Sequence, residues 1–307
     1  MKQNNTHYHN SNYSSKSKLP MVSLLIPTYN RAKYLGQALD SALAQTYPNI
    51  EIIVHDDAST DDTPALLKQY SDPRLRIIRT NNNHGMIGGW NYIVKQAKGE
   101  YIKFLSSDDL LAPTCITQLI KAALAHPAAT LITCQRKFIN EKGRIIKKMG
   151  FASKSTVELG KKHAHWILTT LRENKIGEPT AVLYPTKLVK NAGGYDPQFS
   201  QFADFEYWIR LLQFGDLVYV HQPLCSFRTH ASSNTSAAIN DGRFITEIFS
   251  LIKKYRAILK PREHFHVTRL KILDTLKNIK DLLLGGHFLR ASRYTIRLIG
   301  AISQSHR

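Results

Sequence analysis

Two adjacent carboxylates, Asp108 and Asp109, follow the strand-like run Tyr101–Leu105 after Ser106 and Ser107. Like charges this close repel unless a cation or a basic group joins them. Carboxylate oxygens suit a hard cation such as Mg²⁺ or Mn²⁺, which commonly bridges one or two carboxylates and the phosphates of a substrate. The plainer role is capping, with Asp109 at the start of a helix ahead of Pro113. A second polar group arises from Pro27-Thr28-Tyr29-Asn30-Arg31 and Asp56-Asp57-Ala58-Ser59, each again behind an apolar run. A tyrosine ring can stack on a nucleobase. A carboxylate can accept from an imide N–H, which uracil has and cytosine lacks. The alternative is that Tyr29 packs against the core and Asp57 caps the helix opening near Thr63.

The elements that must position these groups alternate. Strands are predicted at Val22–Ile26, Glu51–Val54, Leu75–Ile78 and Tyr101–Leu105, and helices at Lys33–Gln45, Thr63–Tyr70, Gly88–Lys98 and Pro113–His126. This order predicts an α/β fold with a mainly parallel, doubly wound sheet covered on both faces. Ligands bind such sheets beyond the carboxyl ends of the strands, which points to Pro27–Arg31, His55–Ser59 and Ser106–Asp109. The following half is more mixed. A hairpin is expected over Leu131–Ile139 and Arg144–Lys147, helices at Lys161–Glu173 and Phe205–Gln213, and strands at Thr180–Tyr184 and Leu217–Val220. From Arg243 onward the pattern is almost wholly helical.

Bulk properties narrow the class. The 307 residues are 43% hydrophobic, and no apolar run approaches the roughly 20 residues that span a bilayer. The polar segment 1–18 reads as a disordered tail with nothing to bury. Cys115, Cys134 and Cys225 form no C-x-x-C pair and read as reduced thiols of a cytoplasmic protein. The net charge of +19 calls for an anionic partner, and from Arg243 to the end 14 Lys and Arg stand against 4 acids.

The run SLLIPTYNRAKYLGQALDSALAQTYPNIEIIVHDDASTDDT, followed by GEYIKFLSSDDLLAP, resembles the family-2 glycosyltransferases, which have the A-type glycosyltransferase fold. The likeness covers roughly residues 21–230. It implies that Pro27, Thr28, Tyr29, Arg31, Asp57 and Ser107 line the pocket of a nucleotide-diphosphate sugar. It further implies that Asp108, with Asp109 beside it, ligates a divalent Mg²⁺ or Mn²⁺ on the donor diphosphate. Many members begin this motif with an acid where this chain has Ser106, so a modest metal affinity that depends on bound nucleotide is expected. The family's catalytic acid falls in Gln201-Phe202-Ala203-Asp204-Phe205-Glu206, where Ala203 replaces a first acid and Asp204 keeps the second. Asp204 is thus the candidate general base, with Glu206 as substitute, and capping of its helix as the compatible plain role. Phe227-Arg228-Thr229-His230 resembles the family's Arg-x-His element, which implies Arg228 on phosphate and His230 on the diphosphate or metal. Asn83–Asn91 resembles the glycine-containing loop that opens the third helix.

The implied reaction is an inverting transfer from a donor, expected to be a UDP-sugar, to a hydroxyl of a glycan or lipid-linked acceptor, as in bacterial surface polysaccharide synthesis. A donor-binding protein without catalysis is the alternative, suggested by Ser106 and Ala203. A dinucleotide dehydrogenase would need G-x-G-x-x-G after the first strand, and a nucleotidyltransferase a glycine-rich basic loop; neither is there. A nucleic-acid binder would explain the charge, but no such motif is present and the acidic strand ends oppose it. The expected organisation is 19–240 as catalytic domain (19–112 binding donor, 113–240 binding acceptor) and 241–307 as a basic helical extension. That extension is expected either to touch an anionic membrane peripherally or to pack on the catalytic domain or on a second copy.

Overall fold

The computed structural model describes residues 19–171, 174–230 and 240–305. The expectation for residues 1–18 lies outside them. β1 (Val22–Thr28), β2 (Ile50–Asp56), β3 (Leu75–Arg79) and β4 (Tyr101–Phe104) pair in parallel in the order β3-β2-β1-β4. Buried on both faces, β1 and β2 read as continuous apolar runs because helices cover each side of the sheet. α1 (Ala32–Leu43) turns Tyr34, Leu35, Ala38, Leu39 and Ala42 inward at helical spacing. α2 (Thr63–Leu67), α3 (Gly85–Lys95) and α4 (Cys115–Ala125) complete this half.

The second half extends the same sheet with mixed pairing. β5 (Leu110–Leu111), β6 (Ala129–Ile139), β7 (Ile145–Met149), β8 (Thr156–Glu158), β9 (Val182–Pro185) and β10 (Asp216–Arg228) bring it to ten strands. β9 joins the halves, antiparallel to both β4 and β6, while β6 and β10 are parallel. α5 (Gly160–Thr170), α6 (Lys187–Ala192) and α7 (Ala203–Leu211) pack on this part. The A-type architecture is therefore parallel where the first half predicts it and mixed beyond.

Two differences from the sequence reading matter for the site. α7 starts at Ala203 rather than Phe205, which puts Asp204 inside its first turn with Phe202 as the cap. β10 runs on to Arg228 although only Leu217–Val220 is legible. His221, Gln222 and Pro223 interrupt the apolar pattern, and the strand absorbs them as a register shift between Val220 and Pro223.

Three helices follow: α8 (Arg243–Lys254), α9 (Pro261–Leu284) and α10 (Phe288–Ser305). The stripe Ile245, Ile248, Phe249, Leu251 and Ile252 of α8 is buried in the same core cluster as the sheet residues. α9 buries Val267, Lys271, Thr275 and Ile279, while Leu273, Leu276 and Leu283 stay exposed. Among the described residues no helix is long and apolar enough to cross a membrane.

Candidate active site

The carboxyl ends of β1, β2 and β4 and the start of α7 surround a cavity of about 560 Å³, within the usual range for small-ligand sites. Pro27, Thr28, Tyr29, Arg31, Asp57, Ser107, Asp108, Asp204 and Arg228 line it, as do His55, Glu178, Ser200 and Gln201. Of the residues singled out from sequence, Asp109, Glu206 and His230 are not in that lining.

The wall at β1 and β2 is set by one residue with an uncommon backbone. Asn30 adopts φ 51, a left-handed conformation that Asn tolerates better than most residues. Its Oδ1 then accepts from the backbone N–H of Thr60 at 2.8 Å and Asp61 at 3.3 Å, tying the two strand ends together. Tyr29 beside it is 45% exposed, so the ring faces the open cavity and is not a core residue. Thr28 is buried and its hydroxyl has no partner among the described residues, a polar atom left for a ligand.

Asp57 is 5% exposed and does not cap α2. Oδ1 accepts from the His84 ring at 2.8 Å and from the Thr80 hydroxyl at 3.2 Å, and Oδ2 accepts from the His84 backbone N–H at 2.9 Å. A side chain at Gly89 would place its Cβ 3.6 Å from Oδ2, so the glycine keeps the space before that oxygen open. His55, Asp57 and His84 bring candidate metal-ligand atoms within 4.8 Å of one another. Hydrogen bonds already bind this group without a cation, and burial lowers the pKa of His55. The sequence gives neither His55 nor His84 a role, although the strand-end segment His55–Ser59 and the Asn83–Asn91 loop contain them.

Asp108 and Asp109 part company. Asp108 faces the cavity, with Oδ2 2.9 Å from His230 Nε2 and 3.9 Å from Arg31 Nε. Asp109 is 1% exposed, and its oxygens accept from the Thr180 hydroxyl at 2.6 Å and the Arg228 backbone N–H at 2.9 Å. Burial and the neighbouring Asp108 push its pKa well up. The paired-ligand expectation therefore gives way to one carboxylate at the cavity and one fastening strand ends beneath it. Arg228 departs likewise. Its guanidinium donates to Asp108 O at 2.8 Å, Gln37 Oε1 at 2.8 Å, and the carbonyls of Asn140 and Glu141. That commits the fork to protein acceptors, while Arg31 Nε stands 3.9 Å from the Asp108 carboxylate. His230 keeps contact with Asp108, but its side chain is buried, with its ring tilted against that of Tyr34 at 5.0 Å between centroids.

Asp204 lines the same cavity from the first turn of α7. Oδ1 accepts from the Phe205 N–H at 2.8 Å and Oδ2 from the Asn174 amide. Burial, and then the charge of Glu178, raise its pKa to about 7. Such a carboxyl is poised as a base near neutral pH. Glu206 is fully buried and bound to Arg210, Lys254 and Tyr255 at 2.6–2.7 Å, which removes it as a substitute base. Four carboxylates, Asp57, Asp108, Glu178 and Asp204, thus line one cavity in a protein of net charge +19.

A parallel first-half sheet with acids at its strand ends and a mixed second-half extension define an A-type glycosyltransferase fold. The chain belongs to glycosyl transferase family 2, whose pattern matches residues 23–188, and it is a glycosyltransferase. It is 32% identical over 222 residues to an uncharacterized glycosyltransferase of Rickettsia typhi, covering 72% of this chain and 68% of the relative. It is also 43% identical over 102 residues to an Escherichia coli UDP-Glc:alpha-D-GlcNAc-diphosphoundecaprenol beta-1,3-glucosyltransferase, covering 33% of this chain and 41% of that one. S. aureus TarS 1-349 in complex with UDP-GlcNAc shares the fold at TM-score 0.65 and 20% identity, over 80% of this chain and 70% of that 1-349 chain. Mannosyltransferase PcManGT of Pyrobaculum calidifontis, in complex with GDP-Man and Mn²⁺, shares it at TM-score 0.57 and 18% identity, over 94% and 88%.

Proposed function

We propose that this chain is an inverting glycosyltransferase that moves a sugar from a UDP-sugar to a hydroxyl of a lipid-linked or glycan acceptor. The observation that carries the reading is the acid-lined cavity, to which the segment after β4 brings Asp108 and the first turn of α7 brings Asp204. A dianionic diphosphate would be repelled there without a cation, and a single open carboxylate beside a histidine suits a hard divalent ion shared with phosphate oxygens. Asp108 would hold Mg²⁺ or Mn²⁺, with His230 in reach of the same oxygen, as the Mn²⁺ of PcManGT also suggests. When bound, the ion offsets the charge that builds on the leaving diphosphate. Arg31 adds positive charge on that side, and Tyr29 offers its exposed ring to the base. Asp204 takes the acceptor proton as the hydroxyl attacks the sugar carbon from the face opposite the diphosphate, so an α-linked donor yields a β-linkage. The names of the Escherichia coli relative and of TarS, carrying UDP-Glc and UDP-GlcNAc, support the uridine donor.

The base assignment has a direct test. UDP is expected to bind at least ~10-fold tighter than CDP, since a lost hydrogen bond that leaves a buried carboxylate unmatched costs ~1–3 kcal/mol. Asp57→Ala should erase that preference in calorimetric titration. Equal affinity of the wild type for both nucleotides would remove Asp57 from base recognition.

The C-terminal helices suit an anionic membrane surface on the cytoplasmic side, where a lipid-linked acceptor presents its sugar. Leu284, Phe288 and Leu289 are 78%, 67% and 81% exposed around the turn between α9 and α10, near Lys277, Lys280, Arg290 and Arg293. Basic residues near such a surface contribute about 1 kcal/mol each and are screened by salt. The full chain should sediment with anionic vesicles at low salt and not with neutral ones, and replacing the three apolar residues by Ser should weaken this. No vesicle binding together with a dimer in solution would give the face to a second copy.

A further inference from the structure

We propose that Glu247, on α8, is a positioning residue of the active site that holds the Ser200–Phe202 segment and through it Asp204. The proposal rests on Asp204 acting at the cavity as described above. Glu247 is 7% exposed, and its carboxylate turns away from solvent toward the start of α7. Oε2 accepts three consecutive backbone N–H groups, those of Ser200 at 3.0 Å, Gln201 at 2.7 Å and Phe202 at 3.0 Å. Oε1 accepts from the Ser200 hydroxyl at 2.7 Å. Successive N–H groups converging on one oxygen make an anion nest, here filled by a side chain of the same protein. The positive end of α7 begins at the next residue and adds to the attraction.

Packing alone does not call for this carboxylate. The apolar stripe of α8 already buries Ile245, Leu251 and Ile252 almost completely. Burying a charge is costly unless hydrogen bonds compensate it, and the compensation here is given wholly by one short segment. That segment is part of the site: Ser200, Gln201, Ala203 and Asp204 all line the cavity. About two turns further along, Lys254 binds Glu206 at 2.7 Å and Asp196 at 2.6 Å, so α8 grips α7 at a second point. The helix after residue 241 thereby fixes where the base stands.

The test uses the full chain, Mn²⁺, UDP for binding, and UDP-glucose and UDP-GlcNAc for hydrolysis, with water as acceptor. Glu247→Ala should keep UDP affinity within about twofold and lower the hydrolysis kcat by ~10–100-fold, since a shift of about 1 Å at a reacting group costs that much. Glu247→Gln should recover most of the rate, because its amide oxygen can accept the three N–H groups while its NH₂ faces the Ser200 hydroxyl. Glu247→Asp keeps the charge but falls one methylene short, and should stay folded and slow. Ile252→Ala serves as a control of comparable loss in Tm and should keep its kcat. Folded Glu247→Ala or Glu247→Asp at the wild-type rate would overturn the proposal, as would an equal kcat loss in Ile252→Ala. If Glu247→Ala fails to fold, the Gln and Asp variants decide between reach and charge. An active Asp204→Asn beside a slow Glu247→Asp would move the base elsewhere and leave the positioning role standing.

Discussion

Asp204→Asn is expected to keep the fold and UDP binding while turnover falls by ~10²–10⁴-fold, the usual contribution of a positioned base. Asparagine fills the same volume at the first turn of α7 but cannot take a proton. The pH profile gives a second readout. Burial and Glu178 raise the Asp204 pKa to about 7, so the basic form grows as pH rises through 7, and kcat/KM should climb over that range and level off above it. Stability runs the other way: a carboxyl with a raised folded pKa contributes stability below its ordinary value near 4, and this is lost as pH rises through about 7. Asp204→Asn should therefore lose less stability than the wild type between pH 5 and 8. Glu206→Gln is expected to behave differently, lowering Tm through its contacts with Lys254, Arg210 and Tyr255. If Glu206→Gln abolished turnover in a folded protein while Asp204→Asn did not, the assignment of the base would be wrong.

Asp108→Ala should lower turnover by at least ~10³-fold, on the scale of losing a group that stabilises charge in the transition state. Among the described residues it is the one member of the Asp108–Asp109 pair that lines the cavity. Asp109 cannot replace it, because its oxygens are held by Thr180 and the Arg228 backbone under the cavity floor. The variant should bind UDP equally with Mn²⁺ and with chelator, where the wild type should bind more tightly with the ion. Full wild-type activity in chelator would contradict the role.

The strand-end side of the cavity was legible because a parallel sheet presents the loops after its strands at one edge. Apolar runs end in Tyr29, Asp57 and Asp108, and the structure brings all three to one cavity. What stayed hidden depends on contacts distant in sequence. Asp109 and Arg228 look like ligands of metal and phosphate by residue type, yet each is turned to the other's segment 119 residues away. Nothing local marks Glu178 as the neighbour that shifts Asp204, or Glu247 as the holder of its loop 45–47 residues before it. The exposed leucines of α9 show the limit of periodicity alone: several apolar stripes fit that helix, and a face containing Lys271 and Thr275 is the one that packs inward.

The central claim, displacement of the diphosphate by a hydroxyl from the opposite face, is tested most directly by the anomer released on donor hydrolysis. UDP-glucose and UDP-GlcNAc, both α-linked, would be incubated with the full chain and Mn²⁺ in water and followed by proton NMR before the free sugar mutarotates. The account predicts that the first sugar formed is the β-anomer, that chelator stops its formation, and that Asp204→Asn slows it without loss of UDP binding. Initial release of the α-anomer would contradict inversion, and hydrolysis unaffected by chelator would contradict the metal-bound donor.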